Sequence, residues 1–93
     1  MTMTKQEFLR SAGLKVQVLE LWLEQRWLVP EEEAGEPRFR EIDIARARLI
    51  RQLSEDFGAN DAGIDVILHL MDQLHGVRRA LAELREEARR GRG

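Results

Sequence analysis

The regular spacing of apolar residues in the last third of the chain constrains its fold more than any other feature. From Ile67 to Ala88, apolar residues recur at alternating intervals of three and four. That spacing is typical of a heptad seam along one face of a single long α-helix. The seam consists of Ile67, Leu70, Leu74, Val77, Leu81, Leu84 and Ala88. The sequence therefore predicts a C-terminal helix from about residue 61 to about residue 89.

Two interpretations of this seam are open, because it can pack either on the chain's own N-terminal part or on a second copy of the chain. The first half of the helix, Ile64 to Met71, is expected to contact the N-terminal part. Beyond Gly76 the helix would extend past a head of this size, leaving Leu81 and Leu84 in water. Burying one leucine is worth about 1.5–3 kcal/mol. A homodimer is therefore favoured, with dimerisation residues Leu70, Leu74, Val77, Leu81 and Leu84.

Length and composition set the remaining limits. The chain has 93 residues, enough for one small domain, and such domains often add buried area by association. It has no cysteine, so disulfides and thiolate chemistry are excluded. Neither a signal-peptide core nor a stretch of about 20 apolar residues is present. We therefore expect a cytoplasmic protein that does not enter membranes.

Two helices are predicted at the N-terminus. Thr4 and Glu7 form a capping-box pattern, and the helix that they open should end at Gly13. This first helix turns Phe8, Leu9 and Ala12 inward. A second helical pattern runs from about residue 16 to about residue 26, with Leu19, Trp22 and Leu23 on one face. Trp22 is expected in the core, whereas Trp27 could either close the core or form an exposed anchor.

The middle of the chain predicts a wing and a third helix. Residues 31–40 contain Gly35, Pro37 and four glutamates, which favours a short hairpin or a loop over a helix. A third helix is expected from about residue 41 to about residue 56. Its predicted inward residues are Ile42, Ala45, Leu49, Ile50, Leu53 and Phe57. Its predicted outer residues are Arg46, Arg48 and Arg51.

This order of elements resembles the head of the MerR superfamily. From turn to wing, the sequence of that family is approximately Gly-Val-Ser-x-x-Thr-Leu-Arg-Tyr-Tyr-Glu-x-x-Gly-Leu-x-x-Pro. The corresponding segments of this chain are Gly13-Leu14-Lys15, Leu19-Glu20-Leu21-Trp22 and Trp27-Leu28-Val29-Pro30. The wing return, Arg38-Phe39-Arg40-Glu41-Ile42-Asp43-Ile44, is similar to the family's Arg-x-Tyr-Ser-x-x-Asp-Leu. The resemblance implies an all-α fold class. The predicted fold has a MerR-like winged helix-turn-helix head over residues 1–60, with its wing at about 29–41. A long coiled-coil helix follows over residues 61–93.

The departures from the MerR pattern concern charge. The resemblance implies an Arg-Tyr pair that touches DNA backbone at the start of the second helix, but Glu20 and Leu21 stand there. A glutamate in place of the arginine repels phosphate instead of attracting it. Each lost phosphate contact also removes a counterion-release contribution to DNA affinity. Residues 1–41 hold six Lys/Arg against eight Asp/Glu, and the rest of the chain balances at nine each. DNA binding is therefore disfavoured; Lys15, Arg38 and Arg40 are the residues that would support it.

The C-terminal part resembles the CbpM family of chaperone modulators. Ala62-Gly63-Ile64-Asp65-Val66-Ile67-Leu68-His69-Leu70-Met71-Asp72-Gln73-Leu74 is similar to that family's Pro-Gly-Ile-Ala-Val-Ala-Leu-x-Leu-Met-Asp-Asp-Ile, which precedes a leucine-bearing tail. Ala62 replaces the usual proline. The resemblance implies binding to the J-domain of a CbpA-type DnaJ co-chaperone, and inhibition of its action on DnaK by competition. The charge pattern agrees, because an acidic surface would attract the basic helix that J-domains present.

The candidate partner-binding residues lie on the second helix: Gln17, Glu20, Leu21 and Glu24. An apolar side chain among acids suits an interface, although a solvated helix face is the plainer interpretation. The run Glu31–Glu33 is interpreted as a solvated segment. The predicted J-domain contacts are the four residues of the second helix, Gln17, Glu20, Leu21 and Glu24.

The sequence predicts no catalytic, cofactor or metal site. The only two histidines, His69 and His75, are six residues apart and so do not share a helical face. Asp65 and His69 are four apart, but two or three ligands on one helix form a weak metal pattern. No nucleophile triad or phosphate-binding loop is present, so an enzyme is not expected.

Three functions are thus left to compare. The first is the homodimeric chaperone modulator that the CbpM resemblance implies. The second is a DNA-binding transcriptional regulator of the MerR class. The third is an assembly subunit whose dimer is its only interaction.

Overall fold

The computed structural model describes residues 1–91, so the last two residues of the predicted 61–93 segment lie outside the described part. The elements are, in chain order, α1 (Lys5–Ala12), α2 (Val16–Glu24), β1 (Glu31–Glu33), β2 (Glu36–Arg38), α3 (Glu41–Glu55) and α4 (Asp61–Gly91). The mainly helical prediction holds, with one correction to the all-α class: the wing is a two-stranded antiparallel sheet.

Helix α1 begins and ends as its local sequence predicts. The Glu7 N–H donates to Thr4 Oγ1 at 3.2 Å, and the Thr4 N–H donates to Glu7 Oε1 at 2.9 Å. The hydrogen bond that the Glu7 carboxylate accepts from the Thr4 N–H also lowers the pKa of that carboxyl. Gly13 ends the helix in the left-handed region at φ 66°, a conformation that glycine adopts without steric cost.

Helix α2 ends at Glu24, two residues earlier than predicted, because the chain turns sharply at Arg26. Arg26 has φ 62°, and the following Trp27 N–H donates to the Trp22 carbonyl at 3.0 Å. This turn places Trp27 in the core, where it is only 3% exposed. Of the two interpretations of Trp27, the one in which it closes the core is therefore confirmed.

The wing hairpin is closed by the two-residue turn Ala34-Gly35. Both residues have positive φ, at 55° and 80°, as in the type I′ turns that match the twist of a hairpin. Backbone hydrogen bonds then join Phe39 to Met3, at 2.7 and 2.9 Å. The wing is thereby attached to the N-terminus, and the fully buried Phe39 ring stacks on Phe8 with centroids 4.3 Å apart.

The inward face of α3 differs from the prediction. Ile42 and Phe57 are 65% and 73% exposed and Ala45 is exposed too, whereas Ala47 is buried. Ile50 is buried and Leu49 and Leu53 pack against the core, as predicted. Asp43 is also buried, and its Oδ2 accepts from the Arg40 N–H at 2.8 Å, which fixes how the helix enters the core.

The exposure of Phe57 follows from the turn after α3. Gly58 has φ 65°, and the Ala59 N–H donates to the Leu53 carbonyl at 2.9 Å. Ala59 therefore packs against the core, and Phe57 is left outside.

Two of the three arginines predicted on the outer side of α3 instead hold other elements. Arg51 Nη2 donates to the Gly13 carbonyl at 2.6 Å and so caps the end of α1. Arg46 Nε donates to the Trp27 carbonyl, while its Nη1 and Nη2 donate to Asp72 on α4 at 2.8 and 3.0 Å. These donations to Asp72 lower the pKa of its carboxyl.

Helix α4 is attached to the head by apolar and polar contacts at its N-terminal end. Asn60 Oδ1 accepts from the Gly63 N–H at 2.8 Å, an N-cap, and Ile64 and Leu68 are buried. The Trp27 indole N–H donates to Asp65 at 3.2 Å. Together with the Arg46 contacts, these interactions form what we call the junction between the head and α4.

Replacing Arg46 by methionine should therefore loosen the junction. We expect Arg46→Met to lower the free energy of unfolding by about 1–3 kcal/mol, mainly because it leaves the part-buried Trp27 carbonyl without its donor. Arg48→Met is the matched control, since Arg48 is exposed, and it should change stability by less than about 0.5 kcal/mol. Urea denaturation measures both; equal effects would contradict this role of Arg46.

The rest of α4 projects from the head. From Asp72 to Gly91 every residue is exposed. The 31-residue helix is about 46 Å long at 1.5 Å per residue, and the described chain extends 53 Å along its longest axis. Its radius of gyration is 16.5 Å, against about 12 Å for a compact domain of this length. Within residues 1–91, no other element buries the side chains of the helix beyond Asp72.

Candidate functional site

The four predicted partner-binding residues lie on one exposed face of α2. Gln17, Glu20, Leu21 and Glu24 are all exposed, while Leu19 and Trp22 hold the opposite side of the helix in the core. Leu21 is 43% exposed and lies among carboxylates. We call these four residues the α2 face. The structure thus brings them together, and their role remains a prediction.

One carboxylate of the α2 face has a partner within the chain that sequence reasoning missed. Lys5, at the first position of α1, reaches across to form an ion pair with Glu20, although the two residues are 15 apart in sequence. The contact depends on how α1 packs against α2, so no local pattern could have indicated it. Glu24 forms no ion pair with any of the residues that the structure describes.

The basic residues that would support DNA binding lie beside carboxylates of the wing. Arg38 Nε is 3.8 Å from Glu33, and Arg40 Nη1 is 3.4 Å from Glu31. Lys15, the residue before α2, is exposed and caps the helix without a side-chain hydrogen bond. Each of the two wing arginines thus has a carboxylate of the wing within ion-pair distance.

The heptad seam faces solvent. Its five predicted dimerisation residues are 47–64% exposed, and they are Leu70, Leu74, Val77, Leu81 and Leu84. The helix buries Ile64 and Leu68 against the head on a different face, and of the seam only Ile67 is half-buried. The expectation that the first half, Ile64 to Met71, packs on the head is therefore confirmed for Ile64 and Leu68 and wrong for Leu70.

Sequence reasoning also missed a groove between α3 and α4. It holds about 700 Å³ and is lined mainly by apolar groups. The groove lies between the two helices, with Ile42 and Leu49 of α3 on one side and Met71 of α4 on the other. The lining residues are Ile42, Ala45, Arg46, Leu49, Met71, Asp72, His75 and Arg79.

The histidines do not lie in a ligand cluster. His69 Nε2 lies 3.3 Å from Gln73 Nε2, one turn along the same helix. Among residues 1–91 there is no group of three His, Cys, Asp or Glu side chains placed to hold a metal ion. Within the same range, no helix has the length and apolar character needed to cross a membrane.

Comparison with known proteins identifies the family of the chain. No curated protein and no solved structure matches it. A family model described as MerR HTH family regulatory protein matches residues 3–86, which include the head, the wing and most of α4. The architecture described above, with two helices, a wing, a third helix and a long C-terminal helix, agrees with that match. The chain belongs to the MerR helix-turn-helix family of regulatory proteins.

Proposed function

We propose that this MerR-family chain is a chaperone modulator, which binds the J-domain of a CbpA/DnaJ-type co-chaperone and inhibits it by competing with DnaK. The observation that carries the proposal is the chemistry of the α2 face. Where a MerR-type head would meet phosphates, this head exposes Glu20 and Glu24 around Leu21. Such a surface repels a polyanion and suits a positively charged protein helix.

The α2 face offers both attraction and contact area. Carboxylates steer a basic partner and set its orientation, and they are most effective where water can be displaced. Leu21 supplies an apolar centre that a partner would bury, and the helix under it is fixed by Leu19 and Trp22 in the core. A rigid helix presents these groups without an ordering cost on binding.

Charge reversal on the α2 face tests the proposal. We expect Glu24→Lys to weaken binding to a purified J-domain by about tenfold or more, because close charge pairs across an interface couple by about 1.5 kcal/mol or more. Lysine at the C-terminal end of α2 is favoured by the helix dipole, so the fold should tolerate it. Isothermal titration calorimetry gives the affinity. The inhibition is measured as the loss of J-domain-stimulated DnaK ATPase activity when each variant is added.

The control is Glu83→Lys, which makes the same charge change on the exposed, projecting part of α4. It should leave J-domain affinity within about twofold of the unchanged chain, since surface charges beyond a Debye length of about 8 Å are largely screened. A J-domain that does not bind, or that binds both variants equally, would exclude the α2 face as its docking site.

Membership of the MerR family supports a second candidate, a DNA-binding transcriptional regulator. Its affinity would depend on Lys15, Arg38 and Arg40 and fall steeply as salt increases. The ion pairs of the two arginines with Glu33 and Glu31 weigh against it. Fluorescence anisotropy with a labelled duplex at physiological salt separates the candidates. Saturable binding that is lost when these three residues become glutamine would favour the regulator.

Self-association is the remaining part of the proposal. A dimer formed along the solvent-facing seam would remove five large apolar side chains from water. Arg78 and Arg85 flank the seam and keep long charged side chains at its edge, an arrangement common beside coiled-coil interfaces. We propose a homodimer in which each α4 covers the seam of the other.

A further inference from the structure

Lys5 places a positive charge directly on a carboxylate of the α2 face. Its ammonium group pairs with Glu20, and both side chains are partly exposed, at 35% and 55%. Lys5 is also in the first turn of α1, where the helix dipole disfavours positive charge. The helix that carries Lys5 therefore does not favour its charge, and the carboxylate of Glu20 is what holds it.

This ion pair is of a kind that exchanges easily. Exposed pairs contribute little to stability, and a lysine side chain is long, flexible and strongly hydrated. An arginine or lysine from a partner could take the place of Lys5 while Lys5 turns out to water. An incoming guanidinium could form two hydrogen bonds to Glu20, whereas an ammonium acts as a point charge.

We propose that Glu20 is a cation subsite of the α2 face and that Lys5 is its internal competitor, which lowers the affinity for a basic partner. This inference rests on the proposed function and extends it to the regulation of the same surface. It assigns opposite effects to two charged residues in contact: Glu20 promotes partner binding, and Lys5 opposes it. A partner lacking a lysine or arginine at this position would not displace Lys5.

The test compares Lys5→Gln with Lys15→Gln, which change the net charge equally. Lys5 contacts Glu20, whereas no side-chain ion pair involves Lys15 among the described residues. We expect Lys5→Gln to tighten J-domain binding by about twofold to fivefold at low salt, the range of an exposed ion pair. Lys15→Gln should change it by less than about 1.5-fold, and the gain should disappear in Lys5→Gln/Glu20→Gln.

Failure of this inference is distinguishable from failure of the proposed function. A second probe, an amphipathic peptide of leucine and arginine, is titrated by NMR with the same variants. If the J-domain does not bind but the peptide binds Lys5→Gln more tightly, the proposed function fails and the subsite stands. Equal affinities of the two lysine variants for a probe would show a net-charge effect only, and weaker binding by Lys5→Gln would make Lys5 a contact; either overturns the inference.

Discussion

Replacing Phe39 by alanine should lower the free energy of unfolding of the head by several kcal/mol. Phe39 is fully buried, its ring stacks on Phe8 at 4.3 Å, and its backbone pairs with Met3 beside the wing. Truncating a buried phenylalanine costs about 3–5 kcal/mol. Small domains are stable by only about 5–15 kcal/mol in total, so this loss removes much of the margin. Urea denaturation followed by tryptophan fluorescence measures it.

Phe57→Ala is the matched control, because it is the same chemical change at a side chain that is 73% exposed. We expect it to alter the free energy of unfolding by less than about 0.5 kcal/mol. The pair of variants also tests the inward face of α3, since the sequence pattern had placed Phe57 in the core. A large cost at Phe57 with a small one at Phe39 would contradict the packing described above.

Replacing Leu81 by glutamate should convert a dimer into a monomer. Leu81 lies near the middle of the seam, and a carboxylate there would have to enter a helix–helix interface without a partner. An isolated helix segment of about 15 residues is marginally stable in water. The projecting part of α4 should therefore lose helical circular dichroism as the dimer dissociates. Light scattering gives the mass, which should fall by half.

Ala82→Glu is the control for this variant. It introduces the same charge one residue along, on a face of α4 away from the seam, so the dimer should persist. An unchanged chain that is monomeric at about 100 μM, a concentration at which a micromolar dimer would form, would refute the seam as an interface. A dimer that persists in Leu81→Glu would also refute the seam as the interface.

The sequence predicts the parts of this fold that depend on neighbouring residues. The capping box at Thr4, the glycine at the end of α1 and the start of α4 after Asn60 are local signals, and each lies where it was predicted. The four residues of the α2 face are exposed together for the same reason. Their spacing determines which side of one helix they share, whatever the helix packs against.

Contacts between distant segments could not be predicted in this way. The rotation of α3 is set by Asp43 at its start and by the turn at Gly58, and together they reverse the roles of Ile42 and Ala47. Hydrophobic periodicity identifies a helix. When several adjacent faces of that helix carry apolar residues, it does not decide which face is buried. The pairing of Lys5 with Glu20 likewise depends on tertiary packing.

The junction has a geometric consequence for a molecule made of two chains. Because Trp27 and Arg46 tie α4 to the head through separate polar contacts, the head should turn with the helix as one rigid lever. Two chains paired along the projecting parts of their α4 helices would hold their α2 faces at a constant separation. A target carrying two basic elements at that spacing would gain from effective concentration, and one with a different spacing would not. The length of the projecting part of α4 would then help to determine which target is bound.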